Sequence, residues 1–307
     1  MVDSPPGSGP FLAACQAEPH DHTPVWFMRQ AGRSLPEYRA IRGSGSILDA
    51  IADPELSAEI TLQPVRRYGV DAAILYSDIV VPAYAVGFGV DVKPGLGPVV
   101  EQPFERTADL QRLRPLEPEI DTPYVLETVR QVVAEAGVPL IGFAGAPFTV
   151  ASYLIEGAPS RTYGRTKALM MGDPALWNDL MERLVDMAIT SLRSQIAAGV
   201  SAIQLFDSWA GALSPPVYER CVLPHSRRVF EGVADTGVPG IHFGVGTGEI
   251  LPLMAEAGAD VIGVDWRVPL DEARRRLGPD AILQGNLDPA VCLGPPEVVE
   301  NHKGTGQ

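Results

Sequence analysis

Four arginines fall between positions 29 and 42 (Arg29, Arg33, Arg39 and Arg42), opposed over that span by one acid, Glu37. A guanidinium stays charged and grips carboxylate or phosphate through a planar fork, so such a cluster is an anion site in outline. On charge alone, a solvated basic turn accounts for it equally well. The chain as a whole carries a net charge of −14. An acidic protein that binds a polyanion must gather its cations in one place. Asp78 closes the run Leu-Tyr-Ser-Asp. There it can cap a turn. In a pocket otherwise lined by arginine, it can instead accept several N–H bonds and stabilise positive charge developing on a ligand. Ser208 follows Gln-Leu-Phe-Asp. A serine after a strand is commonly a cap, and no histidine is placed to make this one a nucleophile.

The elements that must position these residues are legible as a repeat. Gly69, Gly137, Gly199, Gly237, Gly258 and Gly278 each precede a short apolar run. Each glycine reads as the left-handed residue that ends a helix, and each apolar run as a buried parallel strand. Val25–Met28 is a further apolar run, read as a first strand over 24–28 and buried on both faces. That gives seven strands. Between them, residues 54–68, 122–136, 174–199 and 215–236 read as helices, the last interrupted by Pro224. In 174–199 the stripe Leu176, Leu180, Leu184, Met187, Leu192, Ile196 keeps helical spacing behind Asp173-Pro174. Residues 86–104 read as a β-hairpin turning at Lys93-Pro94-Gly95.

Alternating strands and helices mean a parallel sheet, open or closed into a barrel. No Gly-x-Gly-x-x-Gly follows the first strand, which weakens the dinucleotide-binding option. Polar or glycine residues end most strands instead, as in TIM barrels. The predicted fold is therefore an α/β barrel of the TIM (β/α)8 type. It forms one domain over residues 10–307, after a Pro-, Gly- and Ser-rich tail at 1–9 expected to be flexible.

Composition narrows the function classes. With 46% hydrophobic and 20% charged residues, the chain has the make-up of a globular domain. No apolar run approaches the ~20 residues of a membrane span, and residues 1–22 lack the pattern of a secretory signal. A pI near 4.8 argues against a nucleic-acid partner. Cys15, Cys221 and Cys292 are scattered and suggest neither disulfides nor a metal site, so a reducing cytoplasm is the natural compartment. His20, His22 and His225 show no ligand spacing with them. The three lysines (Lys93, Lys167, Lys303) bias the chemistry away from Schiff bases.

Two stretches carry a specific resemblance. Residues 24–39, Pro-Val-Trp-Phe-Met-Arg-Gln-Ala-Gly-Arg-Ser-Leu-Pro-Glu-Tyr-Arg, resemble the N-terminal signature of the uroporphyrinogen decarboxylase family, with Ser34 where tyrosine is usual. Residues 142–157, Gly-Phe-Ala-Gly-Ala-Pro-Phe-Thr-Val-Ala-Ser-Tyr-Leu-Ile-Glu-Gly, resemble its second signature. The resemblance implies the same barrel, a homodimer, and no cofactor or metal. It implies removal of CO₂ from the four acetate arms of uroporphyrinogen, giving coproporphyrinogen. It carries a substrate-binding role onto Arg29, Gln30, Ala31, Gly32, Arg33, Arg42, Asp78, Tyr153 and Ser208. Asp78 would face the pyrrole N–H groups, Tyr153 would offer its hydroxyl and Ser208 would meet a carboxylate. Catalysis is expected from Asp78 with Arg29 or Arg33. A pyrrole carbon is protonated, and CO₂ leaves the resulting iminium-like state, whose charge Asp78 offsets. Which arginine holds the leaving carboxylate or relays the proton stays open.

After Ala-Ile-Leu-Gln-Gly and Asn286-Leu-Asp-Pro, Pro295–Glu300 can begin a helix, and Asn301–Gln307 is polar and Gly-rich. The family's final strand ends in Asn-Leu-Gly-His; that motif is absent, and His302 lacks its neighbours. The expectation is therefore a barrel without its eighth strand and last helix, with open edges on the first and seventh strands. Two alternatives accompany the main reading. One is a related barrel methyltransferase of corrinoid metabolism, whose relatives bind zinc through histidine and cysteine. The other is a catalytically impaired, truncated form.

Overall fold

The computed structural model describes residues 9–28, 35–43, 45–93 and 95–301. Among the described residues there are eight strands, β1 (Ala73–Ile74), β2 (Val90–Lys93), β3 (Gly97–Val100), β4 (Leu140–Gly145), β5 (Ala202–Asp207), β6 (Gly240–Gly244), β7 (Val261–Gly263) and β8 (Ile282–Gln284). Six of them form one parallel sheet in the order β1-β4-β5-β6-β7-β8. After the β2–β3 hairpin, each strand lies beside the previous one and the order never reverses. That is the winding of an α/β barrel and not of a doubly wound sheet. All six Gly-led apolar runs become these strands. The β2–β3 pair is the predicted hairpin, in antiparallel register from Val90 opposite Val100 to Lys93 opposite Gly97; Pro94 lies outside the described residues.

The helices start and stop where local chemistry dictates. Asp53 and Asp173 each accept a backbone N–H from the first turn (Leu56 and Leu176, 3.0 Å each), with proline next in line. These caps begin the Pro54–Tyr68 and Pro174–Ala198 helices, and such a cap contributes about 1 kcal/mol. All six predicted glycines take positive φ, but only some are left-handed helical. Gly69 is (φ 62°, ψ 41°), whereas Gly199 (φ 121°) and Gly278 (φ 99°) turn further. The Leu176-Leu180-Leu184-Met187-Leu192 stripe is buried. Residues 215–236 are not one helix. They divide into Pro215–Cys221 and Leu223–Glu231, because Pro224 cannot donate the bond that would join them. The predicted C-terminal helix is present at Pro296–Asn301.

The predicted first strand is corrected. Residues 24–28 form no strand, and Val25 and Phe27 are 49% and 46% exposed. Asp71 holds the backbone of the run at Val25. Val25 N–H donates to Asp71 Oδ2 (2.7 Å), and its carbonyl accepts from Asp71 N–H (2.9 Å). The burial alternates, with Pro24, Trp26 and Met28 half-buried and Val25 and Phe27 exposed, so a continuous apolar run here is not a strand covered on both faces. Phe27 packs edge-on against Tyr68 at 6.0 Å.

Inward-facing residues stack in layers set by the register. The lowest holds Ile74, Ile141 and Ala202; the next Phe143, Gln204, Ile241, Val261 and Ile282; the upper Gly145, Phe206, Phe243, Gly263 and Gln284. A short helix, Pro10–Cys15, joins this interior through Phe11 and Cys15, packed with Ala72, Ile74, Ile141, Ala202, Ile241 and Val261. Burial pushes the Cys15 thiol up to about 12, so it stays a neutral packing group.

The sheet edges are β1 and β8, and Trp26 lies by the latter: its indole N–H donates to Gln284 Oε1 (3.0 Å). Gln284 Nε2 in turn donates to Gln204 Oε1 (3.1 Å) on β5. A side-chain chain thus crosses the interior. Trp26→Phe keeps the ring and removes the donor, leaving Gln284 short of a partner. The expected loss is about 1–3 kcal/mol of unfolding free energy at unchanged denaturant slope. An unaltered urea midpoint would show the bridge contributes nothing.

Candidate active site

The ends of β1, β4, β5 and β6 converge at the C-terminal mouth of the sheet. Asp78 lies four residues beyond β1, half-buried. Its Oδ1 accepts Val80 N–H at 3.1 Å, and its carbonyl accepts Val81 N–H. The carboxylate therefore does cap a turn, and the turn fixes where it sits. Arg42 comes from the Pro36–Arg42 helix, and its Nε donates to Tyr76 Oη (3.2 Å) two residues before Asp78. Arg42 Nη2 donates to Gly45 O (2.9 Å). Burial pushes Tyr76 well above the ordinary tyrosine range, with Tyr38 beside it adding to the rise. Arg42 and Asp78 are thus brought to one strand end. Arg29, Gln30, Ala31, Gly32 and Arg33 lie outside the described residues.

β1 is two residues long, so it cannot pair with the upper part of β4. Phe143 would be left with N–H and C=O unpaired on that side, a costly omission inside a protein. The Gln195 side chain supplies both bonds, accepting from Phe143 N (2.9 Å) and donating to Phe143 O (3.0 Å). Gly142 leaves the space: a Cβ there would stand 2.6 Å from Gln195 Oε1. β4 then runs into the Pro147–Glu156 helix, proline at its first position as predicted. The hairpin docks on that helix through Val100 N–H to Gly157 O and Phe104 N–H to Leu154 O, both 2.8 Å.

Tyr153 on this helix meets the turn after β5. Its ring lies 3.9 Å, centroid to centroid, from that of Trp209, the residue after Ser208. Tyr163 covers Trp209 at 5.0 Å from a left-handed backbone (φ 54°) that a bulky residue rarely adopts. Tyr153 and Ser208, far apart in sequence, therefore share one corner of the mouth. Beneath them Phe143, Phe206 and Phe243 form an edge-to-face ladder, with centroids 5.3 and 6.2 Å apart. Gly263 makes room for it, since a Cβ would stand 2.8 Å from the Phe243 ring. The sequence reading missed Trp209, Tyr163 and this ladder. The signal available was period two within the strands, since 143, 206 and 243 are all inward positions, Phe206 opposite Phe243 and Phe143 one layer below.

The loop after β6, residues 245–248, is tied to the turn after β7. Its Gly246 N–H is taken by Asp265 Oδ2 at 2.6 Å. Asp265 also pairs with Arg267, which lies over the Trp266 ring at 4.5 Å. The same loop closes onto the turn after β5. A Cβ at Gly211 would stand 2.4 Å from Val245 O and 2.5 Å from Gly246 O, both backbone atoms. Gly211→Val should therefore push the two loops apart. Overpacking of this kind costs about 1–3 kcal/mol, and a melting temperature equal to the parent's would contradict the close approach.

The described site is thus half-aromatic and half-polar, with one turn-held carboxylate, one arginine and a tyrosine–serine corner at a single barrel mouth. Comparison with known proteins gives this arrangement its family. A family model described as uroporphyrinogen decarboxylase (URO-D) matches residues 8–304. The chain is 64% identical over 291 residues to a uroporphyrinogen decarboxylase of Streptomyces griseus, covering 94% of this chain and 80% of that one. It is 62% identical over 296 residues to one from Salinispora tropica, covering 96% and 80%. Among solved structures, a methyltransferase from Methanosarcina mazei superposes with a TM-score of 0.72 over 90% of this chain and 81% of that one. At 22% identity, that likeness speaks to the fold alone. The chain belongs to the uroporphyrinogen decarboxylase family.

Proposed function

We propose that this protein decarboxylates uroporphyrinogen III to coproporphyrinogen III in haem and tetrapyrrole biosynthesis, as a carboxy-lyase using its own side chains. The observation that carries the reading is the family match over residues 8–304. Each turnover breaks one bond between an acetate CH₂ and its carboxylate. The bonding electron pair passes into the protonated pyrrole, CO₂ departs, and a proton ends on the carbon that becomes methyl. One proton is consumed per CO₂, four per macrocycle. Asp78 sets its charge against the cationic ring. Arg29, Gln30, Ala31, Gly32, Arg33 and Arg42 bind substrate carboxylates, and Tyr153 and Ser208 contact the macrocycle. A guanidinium is a poor acid (pKa above ~12), so whichever of Arg29 and Arg33 moves a proton needs a site that favours its neutral form. The phenylalanine ladder offers the macrocycle an apolar wall. The direct test is purified protein with uroporphyrinogen under reducing conditions. Stepwise loss of four CO₂ to coproporphyrinogen supports the reading; unchanged substrate overturns it. The methyltransferase reading has no observation here that favours it.

We also infer a homodimer and a cytoplasmic location. Among the described residues no helix is long and apolar enough to cross a membrane, which agrees with that location. Fractionation that leaves the protein in a membrane pellet would oppose it. Sedimentation at micromolar concentration should give twice 32.8 kDa; a single species at that mass itself would refute the dimer.

A further inference from the structure

We propose that Asp207 is a positioning residue: its carboxylate, acting through the Thr149 hydroxyl, fixes the Ser208–Trp209 turn against the helix that carries Tyr153. The consequence for substrate rests on the proposed decarboxylase function; the relay itself is a matter of geometry. Asp207 ends β5, in the alternation that turns Ile203 and Leu205 toward the helices, and is fully buried. Thr149 is fully buried too and donates its proton to Asp207 Oδ1 at 2.9 Å. A hydroxyl has one proton to give, so this donation leaves its lone pairs to receive Trp209 N–H, 3.3 Å away. A carboxylate can only accept, and the direction of the relay is therefore set by residue 207.

Other helical hydroxyls in this protein behave differently. Thr61, Thr128 and Ser152 donate to the carbonyl four residues back in their own helices, each at 2.8 Å. Thr149 sits in the first turn of the Pro147–Glu156 helix, where that helix has no carbonyl behind it, so its proton is available to Asp207. Tyr153 is four residues on, hence on the same face. The turn is thus tied to one helix face twice, by the hydroxyl relay at Thr149 and by the ring contact of Tyr153 with Trp209.

The second carboxylate oxygen lies in a buried polar chamber. His242 Nε2 on β6 lies 3.8 Å from Asp207 Oδ2, and His242 Nδ1 faces Met254 O at 3.2 Å. Tyr218 and Ser226, also fully buried, bring their hydroxyls into the chamber facing each other, and Asp207 Oδ2 and His242 Nε2 there have no protein hydrogen-bond partner. Burial, with the Asp207 charge nearby, pushes the Tyr218 hydroxyl well above the ordinary tyrosine range, so it remains a neutral dipole beside the carboxylate. Asp207 is thus anchored at Oδ1 by the helix, through Thr149, while Oδ2 faces the chamber without a hydrogen bond; with the residue fully buried, solvent cannot replace Thr149 as its partner.

The test uses Thr149→Val, which keeps the shape and removes the hydroxyl, Thr149→Ser, which restores it, Asp207→Ala, and the Asp207→Ala/Thr149→Val pair. Two readouts are taken on folded protein: hydrogen exchange of the Trp209 amide, and KM against kcat for uroporphyrinogen. Thr149→Val and Asp207→Ala should each speed exchange of that amide and raise KM by about tenfold, more than they lower kcat. Thr149→Ser should resemble the parent, and the pair should be no worse than either single change, because both break one relay. Unchanged exchange in Thr149→Val overturns the relay whatever the substrate, and so do effects that multiply in the pair. Faster exchange with an unmoved KM overturns the positioning role. If the parent fails to decarboxylate, the functional reading falls, while the exchange data still decide the relay. Should Asp207→Ala not fold, Thr149→Val and Thr149→Ser carry the test alone.

Discussion

Asp78→Asn is expected to cut turnover by about 10²–10³-fold, the usual loss when a group stabilising developing charge is removed. The structure makes this substitution selective. Asp78 Oδ1 accepts Val80 N–H at 3.1 Å, and an asparagine carbonyl can keep that bond. The turn, and the packing of Ile79 against Gly145 beyond it, should survive. What disappears is one negative charge at the mouth. Substrate binding should change far less than turnover, because the pyrroles carry no positive charge until one is protonated. Asp78→Glu retains the charge and displaces it, and so reports on position. Single-turnover decarboxylation by Asp78→Asn at the parent's rate would remove Asp78 from the chemistry.

The second large effect concerns Arg29 and Arg33. Arg29→Ala and Arg33→Ala should each weaken porphyrinogen binding by on the order of 2–5 kcal/mol, with little change in melting temperature. The argument is one of charge. In a chain of net −14, many arginines are already engaged by their own acids, such as Arg66 with Glu59 and Glu135, Arg114 with Asp121, and Arg193 with Asp235. An eight-carboxylate ligand needs several cations together, and the 29–42 stretch carries four arginines against one acid. Affinity measured by tryptophan quenching under anaerobic conditions decides it, and parental affinity in both variants would return the cluster to the status of a solvated turn. Because the contacts are ionic, binding should also weaken with added salt.

How far these sites could be read beforehand differs residue by residue. The six strands after position 70 announced themselves because a parallel strand covered on both faces must be a short apolar run, and because glycine releases the helix before it. Asp78, Tyr153 and Ser208 were visible through motif and strand-end position. Phe143, Phe206 and Phe243 were not singled out, since an aromatic in an apolar run reads as core until the register shows which face it takes. Trp26 was misplaced within a strand. Its neighbours Val25 and Phe27 are exposed, and only the long-range bond to Gln284 reveals its role.

By itself the sequence determined what depends on short-range chemistry. Proline and aspartate start helices, glycine ends them, period and composition set strand against helix, and the two signature stretches identify the family. These are properties of a few neighbouring residues and hold whatever the rest of the chain does. Tertiary structure alone decided what depends on residues meeting across long separations. It brought Tyr153 onto Trp209, placed the Pro10–Cys15 helix among the inward residues of the sheet, and used Gln195 to complete the backbone of Phe143 where β1 runs out. It also spent the Gly246 N–H on Asp265 and turned Thr149 toward Asp207 instead of leaving it an ordinary helical hydroxyl. The reason is physical. A hydrogen bond or ring contact has reach of a few ångströms, and which partner falls within that reach is set by the winding of the barrel, not by distance along the chain.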